Sequence, residues 1–303
     1  MKIVFAGSPE YAVPSLEALN NKFGVLAVIT QPDKPVGRKA VLTPTAVKKR
    51  AEELNLPVYD FAKLGEHVEE VKSLNADILI TCAYGQILSE QILRCFPQGV
   101  WNLHASLLPK FRGASPIQSA IYAGESHTGV TVMKTELKMD TGDILLVKRC
   151  EIGNKTYGEL QEELSLLSAD AAVEAIELIS SGNTQLLIQD EAKATYCKKL
   201  QKSDAKVDFN NSPAYICRLI NAMNPNPLAY CYLNGNILNI LSAETGEGEG
   251  ETGEVICANK NGITVKCGSD AIVIKQLQPA GGKKMSAADF VNGRKIKVGD
   301  RLD

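Results

Sequence analysis

The chain has 303 residues, 45% of them hydrophobic and 22% charged, values typical of a globular protein that buries a core. This length favours two domains over one or three. The net charge of −2 at pH 7 excludes a global positive field for nucleic acid, and no apolar run is long enough to span a membrane.

Strands and helices alternate in the first half of the chain. Short apolar runs predict strands over 2–7, 25–31, 76–83 and 100–105. Helices are predicted over 9–20 and 43–54, the second with Thr43 as N-cap and Pro44 at its first position. This alternation predicts an α/β domain, Rossmann-like, with a parallel sheet covered on both faces.

Ligands bind beyond the carboxyl ends of the strands in such a sheet. Residues that end or follow the predicted strands therefore share one candidate binding edge: Gly7, Thr30, Tyr84, Gly85 and His104. Farther along the chain, 129–135 and 143–147 are predicted to be strands joined by a turn at 139–142. A long amphipathic helix is predicted over 156–180.

The chain changes character after residue 189, so residues 1–189 are assigned to the Rossmann-like domain. Residues 190–206 lose periodicity and gain lysine, which predicts a basic linker. Residues 207–303 begin with a predicted helix over 212–223. Turn signals then separate short predicted strands at 229–233, 237–242, 253–258, 262–266 and 271–277. This spacing predicts a small OB-like β-barrel, with 245–253 as a mobile hairpin loop.

Eight cysteines are present, and none form a C-x-x-C pair. Several lie inside apolar runs, which indicates reduced, buried thiols and no metal site. The N-terminus shows no signal peptide, so we expect a cytoplasmic protein without a membrane partner. No assembly segment is visible, and we expect a monomer.

Two segments are basic although the whole chain is not. Residues 29–50 carry six Lys or Arg against one Asp, and residues 281–301 carry six against two. Either a polyanion bound at chosen places or a pair of solvated loops would account for this pattern.

A candidate catalytic group lies at the end of the strand over 100–105. Asn102 and His104 are two residues apart, so their side chains share one face of the strand. The turn at 139–142 adds a carboxylate, Asp140, with Asp143 as a rival. An amide, an imidazole and a carboxylate suffice for acyl-type chemistry without a metal.

Three motifs around these residues form a recognisable constellation. They are Asn102-x-His104, Ser106-Leu107-Leu108-Pro109-x-x-Arg112-Gly113 and Asp140-x-Gly142-Asp143. Together they closely resemble the folate-dependent formyltransferases. The segments 5–9, 31–38, 195–200 and 278–290 resemble one branch of that family, the methionyl-tRNA formyltransferases, and the resemblance runs from residue 1 to residue 303.

The resemblance implies 10-formyltetrahydrofolate as formyl donor and the α-amine of methionyl-initiator tRNA as acceptor. Asn102, His104 and Asp140 would be catalytic, with Asp143 capping its turn. Folate contacts are expected at Tyr84, Gly85, Leu88, Ser106, Leu107, Leu108 and Pro109. Contacts to tRNA are expected at Lys34, Arg38, Lys39, Lys198, Lys199, Lys283 and Lys284. Arg112 either meets a phosphate or the acceptor end, or braces its loop.

Two other functions fit parts of the sequence. An enzyme with the same donor could formylate a small-molecule amine, but a barrel and a basic loop at 29–50 are unnecessary for a small acceptor. A non-catalytic RNA-binding protein on the same scaffold would not need Asn102, His104 and Asp140 together.

Overall fold

The computed structural model describes residues 1–37 and 40–303. They form two compact units. Unit 1 comprises 1–116, 127–151 and 161–197, and unit 2 comprises 117–126, 152–160 and 198–303.

Unit 1 is built on a seven-stranded sheet with helices. The strands of unit 1, inside and outside this sheet, are β1 (Ile3–Gly7), β2 (Val25–Ile29), β3 (Lys34–Val36), β4 (Val41–Thr43), β5 (Val58–Tyr59), β6 (Ile78–Cys82), β7 (Val100–His104), β8 (Arg112–Gly113), β9 (His127–Lys134), β10 (Ile144–Glu151) and β11 (Tyr196–Cys197). Strands β3 and β4 pair with each other, and so do β8 and β11. The helices along this part of the chain are α1 (Val13–Phe23), α2 (Ala46–Glu53), α3 (Val68–Ser73), α4 (Glu90–Leu93), α5 (Pro116–Ala123) and α6 (Tyr157–Ser180), with α5 and the first turn of α6 mostly grouped with unit 2.

The main sheet has the strand order β10-β9-β7-β6-β1-β2-β5. Strands β1, β2, β5, β6 and β7 are parallel, whereas β9 and β10 run antiparallel to their neighbours. Every residue of β1 and β6 is buried, which explains their continuous apolar sequences. The predicted Rossmann-like α/β fold is thus confirmed.

The carboxyl ends of the parallel strands meet at one edge, as predicted. Gly7 at the end of β1 is in register with Cys82 at the end of β6, and Cys82 is in register with Leu103. His104 ends β7 and faces Thr131 on β9. This edge therefore lies beside the candidate catalytic residues.

The predicted N-cap at Thr43 is wrong. Thr43 lies in β4 and pairs with Lys34 in a β3–β4 hairpin that the sequence analysis did not anticipate. A residue before proline is disfavoured in the helical conformation, so Thr43 stays extended. Thr45 caps α2 instead, and its hydroxyl accepts the Lys48 backbone N–H at 3.0 Å.

Unit 2 contains an antiparallel sheet with the order β12-β13-β16-β15-β14. Its elements are α7 (Pro213–Met223), β12 (Ala229–Leu233), β13 (Asn236–Gly246), β14 (Val255–Asn259), β15 (Gly262–Lys266), β16 (Ala271–Pro279), β17 (Met285–Ser286) and α8 (Ala287–Asn292). Leu302 bridges Leu233 at the end of β12, and Arg301 bridges Glu254 just before β14. The chain end thus joins the two edge strands, consistent with the predicted small barrel.

The predicted loop at 245–253 differs from the structure, whereas the predicted linker stays a prediction. Thr245 and Gly246 belong to β13, because they pair with Ile272 and Ala271, so the predicted mobile loop at 245–253 is too long. The segment 190–206, predicted as a linker, is divided between the two units after Cys197. None of the described helices has the length and apolar character needed to cross a membrane.

Candidate active site

His104 and Asp140 face each other across 3.7 Å, measured from Nδ1 to Oδ2. Nε2 of His104 lies 2.9 Å from the carbonyl oxygen of Phe111, so this nitrogen carries the proton and donates it. In the neutral form of the imidazole, Nδ1 is then the acceptor nitrogen. Nδ1 faces the Asp140 carboxylate, which also accepts hydrogen bonds. A proton or an N–H donor placed between these two groups could therefore bond to both of them.

The carboxylate of Asp140 is held by a backbone amide. Gly113 N–H donates to Oδ2 at 2.8 Å. Position 113 must be glycine, because a Cβ there would lie 2.1 Å from the carbonyl oxygen of Cys197, at a φ of +123°. The glycine of the Arg112-Gly113 motif therefore allows β8 to approach β11 while its N–H faces Asp140.

Asn102 is oriented by the neighbouring strand. The hydroxyl of Thr81 on β6 donates to Oδ1 of Asn102 at 2.8 Å, and the two residues are in register. Because this bond occupies the amide oxygen, the NH₂ group is the end left for a ligand. Asn102 thus presents a hydrogen-bond donor on the strand that ends at His104.

The loop after β7 is fixed largely by its own polar atoms. The Ser106 hydroxyl donates to the Lys110 carbonyl at 2.6 Å, and the Thr131 hydroxyl donates to the Ser106 carbonyl at 2.6 Å. Leu108 packs with Met133 and Ile144, and Ser106 is fully buried. Leu107 and Pro109 are half-buried. Of the four predicted folate contacts in this loop, Leu107 and Pro109 thus present the more accessible side chains.

The segment after β6 forms an apolar wall with polar backbone. Tyr84 and Leu88 are buried, and Gly85 has a φ of +79° with Gln31 Nε2 where its Cβ would be, at 2.7 Å. The buried Tyr84 hydroxyl has no hydrogen-bond partner within the described structure, and burial raises its pKa to about 12. The backbone N–H groups of residues 86–88 likewise donate to no described acceptor.

Arg112 is fully buried and braces this region. An arginine has five N–H donors. All five are used: two on Gln189 Oε1, two on the Glu191 carboxylate and one on the Tyr196 hydroxyl, at 2.7–3.2 Å. The Glu191 hydrogen bonds raise the pKa of the guanidinium and lower that of Glu191. No donor of Arg112 remains for a phosphate, so the geometry favours the bracing role.

The described residues among the predicted tRNA contacts lie outside the hydrogen-bond network of Arg112. Lys34, Lys199, Lys283 and Lys284 are exposed, and Lys198 pairs with Asp204 at 2.7 Å. Arg38 and Lys39 lie outside the described residues. In the basic segment 29–50, Lys48 is held by Asp33 and Asp60, hydrogen bonds that raise the pKa of its ammonium.

Several residues that form hydrogen bonds to the candidate site residues are not predicted from the sequence. Thr81 is a polar residue inside a buried strand, which is a usable signal. Gln189 is the last residue assigned to the first domain and Glu191 lies in the predicted linker. Only the fold brings them to Arg112, 77 and 79 residues away. Among the described residues, no cluster of His, Cys, Asp and Glu could hold a metal ion.

Known families match both parts of the chain. Residues 1–176 match the formyl transferase family, and residues 199–295 match the formyl transferase C-terminal domain. An N-formyltransferase from Helicobacter canadensis, solved with folinic acid and dTDP-3-aminofucose, has a TM-score of 0.70 at 19% identity. That comparison covers 94% of this chain and 100% of the other, and it shows a shared fold.

Curated relatives extend the match over the full length. A methionyl-tRNA formyltransferase from Coxiella burnetii (strain RSA 331 / Henzerling II) is 40% identical, covering 100% of this chain and 97% of the relative. Another from Pseudomonas fluorescens (strain SBW25) is 42% identical, covering 98% and 95%. The chain therefore belongs to the methionyl-tRNA formyltransferases within the formyl transferase family.

Proposed function

We propose that this chain transfers the formyl group of 10-formyltetrahydrofolate to the α-amine of methionyl-initiator tRNA, using Asn102, His104 and Asp140. Two observations support the proposal: Asn102 and His104 lie on one strand at the carboxyl edge of the sheet, and His104 Nδ1 lies 3.7 Å from Asp140 Oδ2. The full-length relatives supply the acceptor. Action in the cytoplasm as a monomer, as predicted from the sequence, completes the proposal.

The segment after β6 fits a folate. A pterin is flat with donors and acceptors along its edge, and such ligands bind between apolar walls and a few polar groups. Tyr84 and Leu88 provide buried apolar surface, and residues 86–88 provide backbone N–H groups that lack protein acceptors in the described structure. Leu107 and Pro109 would add contacts from the loop after β7.

When bound, the donor supplies a formyl carbon whose oxygen gains negative charge as the amine attacks. The Asn102 NH₂ group, held by Thr81, donates a hydrogen bond to that oxygen. A donor aimed at developing charge typically contributes about a hundred- to a thousandfold in rate.

His104 takes the proton that the attacking amine loses and returns it to the folate nitrogen as the bond from that nitrogen to the formyl carbon breaks, which releases tetrahydrofolate. Nδ1 of His104 is the acceptor nitrogen, because Nε2 donates to Phe111. The imidazolium formed is then flanked by the Phe111 carbonyl and the Asp140 carboxylate, both of which favour its positive charge. Asp140 thus stabilises the protonated imidazole of His104.

Lysines and arginines away from the edge would hold the tRNA. Lys34, Arg38 and Lys39 belong to the segment that includes the β3–β4 hairpin, and Lys198, Lys199, Lys283 and Lys284 belong to the second half of the chain. Contacts of this kind to phosphates give affinity without reading sequence.

A formylation assay with labelled 10-formyltetrahydrofolate tests the proposal. Methionyl-tRNA, a nucleotide sugar amine and a glycinamide nucleotide are offered in parallel as acceptors. We expect the label to reach methionyl-tRNA alone. Label on a small amine with none on methionyl-tRNA would assign the chain to a small-acceptor formyltransferase, and no transfer at all would support a purely RNA-binding role.

A further inference from the structure

Gln189 binds the backbone of the turn that carries Asp140, and both polar atoms of its side-chain amide have hydrogen-bond partners. Nε2 donates to the carbonyl oxygens of Asp140 at 2.9 Å and Gly142 at 2.7 Å. Oε1 accepts from Nε and Nη2 of Arg112 at 3.1 and 2.8 Å. The amide has one possible orientation, because a flip would set acceptor against acceptor and donor against donor.

These bonds close a ring around Asp140. Arg112 holds Gln189, Gln189 holds the backbone of Asp140, and the N–H of Gly113 holds the Asp140 carboxylate. Asp140 has a φ of +55°, a conformation that residues other than glycine seldom adopt. Two backbone anchors on this turn stabilise that conformation, and with it the approach of the carboxylate to His104.

The outer end of the network reaches the surface. The Arg112 side chain is 0% exposed, whereas that of its partner Glu191 is 68% exposed. Glu191 supplies the counter-charge that lets Arg112 lie buried, and Tyr196 accepts the remaining N–H. Gln189 itself is a buried amide whose four hydrogen bonds are all satisfied, and such networks define a single geometry.

We propose that Gln189 is a positioning residue for formyl transfer, which sets the Asp140 turn against His104 and is itself held by Arg112 and Glu191. The inference rests on the proposed function, because it takes Asp140 as the partner of His104. Gln189 acts through the backbone of Asp140 and contacts neither the donor nor the acceptor.

The test is the substitution Gln189→Glu. The carboxylate keeps its acceptors for Arg112, so the buried cation stays paired, but it offers no donor to the Asp140 and Gly142 carbonyls and repels them. We expect kcat to fall by about a hundredfold, the loss associated with misplacing a catalytic group by about 1 Å. Both KM values should stay unchanged. The matched control is Gln185→Glu, the same change at an exposed position four residues earlier, which should keep full activity.

A double substitution separates positioning from a merely structural role. If Gln189 acts through Asp140, Gln189→Glu costs little further activity in an Asp140→Asn background, because the two losses share one cause. Losses that add, an unchanged kcat, or a raised KM with normal kcat would each overturn the inference. The parent chain and His104→Ala in the same assay test the proposed function separately.

A milder variant guards against failure to fold. Glu191→Gln removes the surface counter-charge of Arg112 and leaves Gln189 in place. We expect a several-fold loss of kcat that again disappears in the Asp140→Asn background. If Gln189→Glu fails to fold and Glu191→Gln keeps the kcat of the parent, the proposal that this network positions Asp140 is wrong.

Discussion

At the scale of single residues, the hydrogen bond of His104 determines which of its two ring nitrogens can accept a proton. The Phe111 carbonyl fixes the proton on Nε2, so Nδ1 is the only nitrogen that can take a proton from an amine. His104 is buried at the end of β7, and the chain of Asp140, Gly113 and Gln189 keeps a carboxylate beside that nitrogen. In the proposed mechanism, proton transfer and charge stabilisation would therefore both involve Nδ1 of His104.

We predict that His104→Ala lowers kcat for methionyl-tRNA by roughly a hundred- to ten-thousandfold, the usual contribution of a general acid–base group. The dissociation constant for tRNA should stay unchanged, because the buried imidazole is not a phosphate contact. Single-turnover formylation gives the rate, and filter binding of uncharged tRNA gives the affinity. Retained turnover would contradict the catalytic assignment.

A second prediction concerns the residue that orients Asn102. Thr81→Val keeps the shape of the side chain and removes the hydroxyl that binds Asn102 Oδ1. The amide can then rotate, so kcat should fall, with the roughly hundred- to thousandfold effect of losing an oxyanion donor as the upper limit. Asn102→Ala sets that limit in the same assay. Thermal unfolding should show no loss of stability, and a wild-type kcat for Thr81→Val would show that Asn102 needs no anchor.

At the scale of elements, the β3–β4 hairpin combines exposed apolar residues with basic ones. Val36, Val41 and Leu42 are 56%, 57% and 67% exposed, and Lys34 lies on the same hairpin. The chain at its base is anchored, because Lys48 on α2 bonds to Asp33. An anchored base beside exposed apolar residues and the exposed Lys34 is consistent with the proposed contact of this hairpin with the acceptor end of a tRNA.

We predict that Arg38→Ala raises the KM for methionyl-tRNA or lowers kcat, while the affinity for folate stays unchanged. Lys63→Ala is the control, since Lys63 is an exposed lysine of unit 1 that pairs with Glu66. Steady-state kinetics with each substrate varied in turn provides the measurement. Weakened folate binding with normal tRNA kinetics would move this segment to the donor site.

The elements also show what sequence can and cannot predict. Continuous apolar runs identified β1, β6 and β7, because buried parallel strands require apolar residues on both faces. The β3–β4 hairpin was missed because its residues are exposed and form no apolar pattern. Asn102 and His104 can be predicted as a pair because they share one strand, whereas the role proposed for Gln189 depends on a contact across 77 residues and leaves no local pattern.

At the scale of the whole molecule, a net charge of −2 coexists with exposed lysines among the described residues. Many lysines and arginines are neutralised by carboxylates, as are Lys48, Arg50 and Arg112. Lys199, Lys283 and Lys284 are exposed, and Lys198 is exposed although it pairs with Asp204. The net charge is therefore a poor indicator of tRNA binding, and the positions of the exposed lysines are a better one.

The salt dependence of tRNA affinity reports how many of these lysines contact phosphates, because each contact releases counterions from the RNA. Each lysine that contacts a phosphate adds about one to the slope of log Kd against log salt concentration. We predict that replacing Lys198, Lys199, Lys283 and Lys284 with alanine weakens tRNA binding and flattens this slope, with Lys198 contributing less because Asp204 already pairs with it. A matched variant replaces four lysines that pair with carboxylates, namely Lys22, Lys63, Lys148 and Lys275, and should leave the slope close to that of the parent. Titrations at several salt concentrations compare the variants, and an equal slope in both would show that the exposed lysines of the second half of the chain do not contact phosphates.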